Sequence, residues 1–75
     1  MLEREVKIGS VYKHFKGNLY EVICIAYDSE TLRECVVYTN RDNGKSWIRD
    51  KEDFLSKVDK VKYPEVEQEY RFEEV

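Results

Sequence analysis

The sequence predicts a mainly β chain: about five antiparallel strands in a strongly curved sheet that closes into a partly open barrel, with one short helix after Arg49. Three observations carry this expectation. Short aromatic and β-branched runs recur between turn residues, Leu19 to Tyr27 is apolar on both alternating faces, and Asn43-Gly44 separates two strand-like runs. A flat sheet packed on the helix is the alternative architecture.

Met1 to Ile8 is charged and weakly patterned, and Gly9-Ser10 punctuates it. Val11 to Phe15 then alternates as a short first strand, and Lys16-Gly17-Asn18 is its turn. Leu19 to Tyr27 reads as a long central strand and as the best-buried element. Asp28-Ser29-Glu30-Thr31 is a polar loop, followed by a third strand from Cys35 to Asn40.

Asn43-Gly44 favours a two-residue type I′ turn because both residues tolerate positive φ. That turn would set Tyr38 opposite Arg49, Thr39 opposite Ile48 and Asn40 opposite Trp47, with a fourth strand from Ser46 to Arg49. Asp50 is a helix cap with Asp53 in the first turn, and Phe54 with Val58 supplies an apolar stripe at i and i+4. A fifth alternation falls at Val58, Val61 and Tyr63. Residues 1–75 form one domain with a core over 9–63, and the acidic tail over 64–75 either closes the barrel or frays.

At 75 residues folding buries only about 60–65 % of the unfolded chain's surface, so the core is thin and no separate catalytic domain fits. The net charge is −3, with the excess acid in the last third. This excludes the overall basic footprint of a non-specific nucleic-acid binder, while a local basic patch stays open. No apolar run spans a membrane, and the start shows neither the basic nor the apolar region of a signal peptide, so a cytoplasmic protein is expected. Cys24 and Cys35 lie inside apolar runs and read as small core residues, not as a disulfide. With His14 they offer too few ligands for a closed zinc site, and the sequence calls for no metal or cofactor.

In the expected register Tyr38, Asn40, Trp47 and Arg49 share one face, while Val37, Thr39 and Ile48 share the other and look like the core side. A guanidinium beside Trp and Tyr can stack on rings or hold a carboxylate or phosphate in bidentate fashion. The competing reading is structural cover of a second small core. His14 shares a face with Tyr12 and, near an acid such as Glu30, can carry a proton or hydrogen-bond a ligand. Lys13, Lys16, Arg41, Lys45 and Arg49 are the local basis for a nucleic-acid reading.

Gly9, Tyr12, His14, Lys16-Gly17 and Tyr20, then Ala26, Ser29-Glu30-Thr31, Val36-Val37-Tyr38, Trp47-Ile48-Arg49, Phe54 and Val58, follow one another in an order that resembles the bacterial family known as domain of unknown function 1653. Arg71-Phe72 resembles the family's closing Arg-Phe. Two departures stand out: Asp50 replaces the proline usual after Trp-Val-Arg, and the segment before Arg71 is acidic and differently spaced. The resemblance implies a compact, stand-alone cytosolic β-domain with an SH3-like barrel, and brings no established activity, cofactor or partner.

The leading functional expectation is a non-enzymatic binding module. Its patch of His14, Tyr38, Trp47 and Arg49, with Glu30 as an orienting acid, receives a peptide, a nucleotide-like group or a small anion. A small enzyme using His14 and Glu30 as acid and base is the second reading, and a single-stranded nucleic-acid-binding domain the third.

Overall fold

A computed structural model of the chain describes residues 5–75; residues 1–4 of the charged amino-terminal segment lie outside the described residues. Strand β1 (Val11–His14) turns into β2 (Leu19–Tyr27), which is followed by β3 (Glu34–Asn40), β4 (Ser46–Asp50), the one-turn helix α1 (Lys51–Phe54) and β5 (Phe72–Glu74). The spatial order is β4, β3, β2, β1, β5, and every neighbouring pair is antiparallel.

This sheet curls into an SH3-like barrel left open between its two edge strands. Strands β5 and β3 lie three steps apart, about 14 Å in a flat sheet, yet the rings of Phe72 and Tyr38 are 5.3 Å apart. Phe72 also lies 5.7 Å below the guanidinium of Arg49, which belongs to the opposite edge. A bulge at Ile23, between the Val22–Tyr38 and Cys24–Val37 pairs, supplies part of the bend.

The concave face holds Tyr12, Val22, Val36, Tyr38 and Phe72, and Phe54 of α1 plugs it from below, stacked on Phe72 at 4.2 Å and edge-on to Tyr12 at 5.4 Å. Asp50 caps α1 by accepting the Glu52 N–H through its side chain (2.9 Å), and Glu52 and Asp53 favour the first turn. Gly17, at φ +104°, closes the β1–β2 turn where an L side chain would be strained.

Several expectations are corrected. The β3–β4 connection is not a two-residue turn. The buried Asn40 side chain accepts the N–H groups of Asp42 (2.8 Å) and Asn43 (3.2 Å), folding a four-residue loop over 41–44 in which Gly44 alone takes positive φ. The register therefore shifts by two, pairing Tyr38 with Trp47, Val36 with Arg49 and Val37 with Ile48. A shift by two preserves which residues share a face, but the core side is reversed: Val36, Tyr38 and Asn40 are buried, while Ile48 is 63 % exposed.

Strand β2 is not the best-buried element, because no second layer covers its convex face and only Val22 is fully buried; β3, with Cys35, Val36, Tyr38 and Asn40 buried, is. For the same reason Cys24 is exposed, whereas Cys35 is buried, and both thiols are free. Finally, the alternation at Val58, Val61 and Tyr63 forms no strand. Asp59 folds this stretch into turns by accepting the N–H of Val61 and Lys62, and Val61 is left 94 % exposed.

The acidic tail instead supplies β5. His14 pairs with Phe72, and the Arg71 N–H bonds the Ser56 carbonyl at 2.9 Å, so the core continues past Tyr63 to Phe72 and takes in Val6 at the other end.

Phe72→Ala is expected to cost about 3–5 kcal/mol of unfolding free energy, while Val61→Ala stays within about 0.5 kcal/mol of the parent. Urea unfolding of both variants checks this, and similar losses from the two would show that the tail does not close the core.

Candidate functional site

Four of the five candidate residues stand on the concave face. Tyr38 is buried at the centre of β3; Trp47 is its neighbour on β4 and, because β4 is an edge, remains 50 % exposed. Arg49, two residues on, turns its side chain inward. Its Nε donates to the Tyr38 hydroxyl at 3.1 Å, its Nη1 donates to Asp53 Oδ2, and its plane lies over Phe72. Burial alone would lower the Arg49 pKa, but the Tyr38 and Asp53 bonds more than offset it and the group is held firmly cationic.

His14 ends β1 and packs against Phe15 (4.3 Å), Phe72 (4.9 Å) and Tyr20 (6.3 Å). Its Nδ1 accepts the Lys16 backbone N–H at 3.1 Å, which leaves the proton of the neutral ring on Nε2. Burial, and then the charges of Arg49, Lys16 and Arg71, lower its pKa to about 4, so it is neutral at physiological pH. A neutral imidazole surrounded by three cations is a hydrogen-bond donor in a positive field.

Glu30 is not part of this constellation. It lies exposed in the loop after β2, its N–H on the Asp28 carboxylate at 2.8 Å. The nine residues of β2 separate that loop from the β1–β2 turn, a run of roughly 25–30 Å. The β2–β3 loop is stabilised locally by Asp28, whose carboxylate accepts the Thr31 and Glu30 N–H groups and is lowered in pKa by them. An orienting acid for His14 therefore does not come from Glu30.

Three residues without a site role in the sequence complete the cluster. Asp53 reaches Arg49 from α1; Arg71, just before β5, approaches the other oxygen of the same carboxylate at 3.8 Å; and Ser56 accepts the Arg71 Nε–H at 2.9 Å. Two guanidinium groups thus share one carboxylate. The Arg49–Asp53 spacing of i and i+4 is a local signal. The approach of Arg71 depends on the chain returning through β5, which no local pattern announces.

The chain matches, over residues 10–74, the model of a family described as "Protein of unknown function (DUF1653)". It belongs to the DUF1653 family. No curated protein and no solved structure matches it significantly. In this DUF1653 chain His14 of the first hairpin, Tyr38, Trp47 and Arg49 of the second, and the closing Arg71 and Phe72 gather on one side of the sheet. Among the described residues no group of three or more His, Cys, Asp or Glu side chains is placed to hold a metal, and no helix is long and apolar enough to cross a membrane.

A His14 pKa depressed from the usual 6.5 to about 4 has a defined sign. Between these values the unfolded chain binds a proton that the folded chain refuses, so stability is full above the upper value and falls as pH drops toward the lower. The stability difference between the parent and His14→Phe is expected to be constant above neutrality and to shrink or invert through that window. A difference independent of pH there would show that the ring is not held neutral.

Proposed function

We propose that this chain is a non-enzymatic binding module whose concave face receives an anionic group, a carboxylate or phosphate, on its ligand. The observation that carries the reading is the convergence of Arg49 and Arg71 on a single carboxylate, Asp53, above the Phe72 ring. A pair of planar cations sharing one partner keeps donor capacity for a second anion, and such forks bind carboxylate and phosphate oxygens in bidentate fashion. The Nε2–H of neutral His14 adds a donor in the same field. Half-exposed Trp47 offers a ring on which a planar or apolar part of the ligand stacks.

The same chemistry is common to the three ligand classes that an aromatic-arginine patch accepts: an acidic peptide, a nucleotide-like group and a small anion. Lys16 faces His14, and Arg41 and Lys45 flank the β3–β4 loop; these charges raise the local concentration of anions.

Titration of the isotope-labelled chain with inorganic phosphate tests this reading. Saturable shifts of the His14 ring and of the Arg49 and Arg71 Nε–H signals are expected, with a rise in the His14 pKa and weakening at higher salt. Arg49→Gln should remove the saturation. Shifts that spread evenly over the surface, or that persist unchanged in Arg49→Gln, would reduce the cluster to a structural clasp.

A further inference from the structure

The strand that carries Trp47 and Arg49 ends the sheet, and its backbone has a defined polarity. The Asn40 N–H bonds the Lys45 carbonyl at 2.8 Å, which makes that pair a hydrogen-bonded one. Alternation then directs the N–H and C=O groups of Trp47 and Arg49 to β3, and those of Ser46 and Ile48 away from it. The Thr39–Ser46 pair, whose hydroxyls meet at 2.8 Å, has the close side-chain approach of the non-bonded class, as this alternation requires. Among the described residues no backbone group bonds the outward groups of Ser46 or Ile48.

Side chains alternate the other way: Trp47 and Arg49 face the concave side and Ile48 the convex side. Edge strands are usually blunted by a proline, a lysine or a bulge. Of the known blunting devices the Trp47-Ile48-Arg49 run carries only the inward-turned charge of Arg49, with no proline, lysine or bulge, and it leaves a 50 % exposed indole and a 63 % exposed isoleucine beside open hydrogen-bonding groups.

We infer that β4 is a docking edge for an extended acidic peptide, which adds as a further antiparallel strand and delivers its carboxylate to Arg49. This rests on the anion-binding reading above and names its ligand. The bonding pattern fixes the sequence it accepts. The partner residue opposite Ile48 exchanges backbone hydrogen bonds with it and sets its side chain on the convex side. The residues flanking that one place theirs on the concave side, next to Arg49 and Trp47. Read from the partner's amino end, the order is an acid, a β-branched residue and an aromatic residue.

Charge complementarity favours such a partner over a second copy of this chain, because Arg49 and Arg71 already exceed the single carboxylate they share. The β4 edge of five residues is about 17 Å long, too short to bury the roughly 1,200–2,000 Å² of a stable dimer.

The test uses the capped peptide Ac-Ser-Glu-Val-Phe-Ser-NH2, the same peptide N-methylated on its valine, the glutamine analogue of its acid, and inorganic phosphate, each against the labelled full chain. The peptide is expected to slow hydrogen exchange of the Ile48 amide. N-methylation or the glutamine exchange should each weaken binding about tenfold, the loss of roughly one hydrogen bond or charge contact. Ile48→Pro removes an N–H that β3 does not use, so it should fold, keep the phosphate response and lose the peptide.

If phosphate saturates the Arg49 and His14 signals while the peptide leaves the Ile48 amide unprotected, edge docking fails and the anion site stands. If neither responds, both fall. Protection of Ile48 that rises with protein concentration alone, with a doubled hydrodynamic mass, assigns the edge to a second copy and overturns the peptide proposal.

Discussion

The ring of Phe72 joins parts of the chain that are far apart in sequence. It is 1 % exposed and touches His14 of β1, Tyr20 of β2, Tyr38 of β3 and Phe54 of α1. In a chain this short the unfolded state exposes little apolar surface to begin with, so each fully buried aromatic residue is a large share of the driving force. An open five-stranded sheet has no intrinsic reason to curl far enough to bring its edges together. Burying this ring under Phe54 is what makes that curvature favourable. Remove it and β5 keeps only three residues of pairing with β1.

The polar cluster is a consequence of the same closure. Arg71 precedes Phe72, so seating the ring carries the guanidinium to Asp53 and Ser56, and Arg49 comes over the ring from the other edge. An arginine pair at one carboxylate is not a strong source of stability when its members are roughly a third to half exposed. Coulombic attraction between Asp53 and one arginine is set against repulsion between the two cations, and the Tyr38 and Ser56 oxygens only hold the forks in place. Hydrophobic closure therefore stabilises the fold, and the charges ride on it with donor capacity to spare.

What could be read in the sequence was local. Period-two patterning located β1 through β4, Gly17 marked its turn, and Asp50 announced the helix cap, since each depends on residues within a few positions of one another. Two kinds of feature were hidden. The β3–β4 register was decided by the side chain of Asn40, which competes with the Asn43-Gly44 preference by satisfying two loop N–H groups at once. A turn dipeptide does not reveal that competition. Strand β2 is less buried than its composition suggests because β-branched runs report a fit to pleated backbone as much as a covered face, and only the absence of a second layer separates the two. Of the site, Tyr38, Trp47 and Arg49 were visible as one face, since a register error of two leaves face sharing intact. Asp53 and Arg71 were not, because their meeting is created by the closure at Phe72.

The acidity of the chain does not argue against an anion site. With net charge −3, the far field opposes an approaching anion, but at physiological ionic strength charges beyond about 8 Å are largely screened. Within that radius the composition differs from the average. His14 feels Arg49, Lys16 and Arg71 as its principal charged neighbours, whereas the loop after β2 holds Asp28 and Glu30 and β3 begins with Glu34, with Arg33 drawn to Asp50 and Glu52 and Lys51 to Glu34. The acids at that end are thus partly neutralised by cations of their own, so they add little to the field at the arginine pair. A ligand oxygen arriving at the concave face meets a field set by a few groups nearby. The sign of that local field, and not the sum over the chain, decides whether it stays.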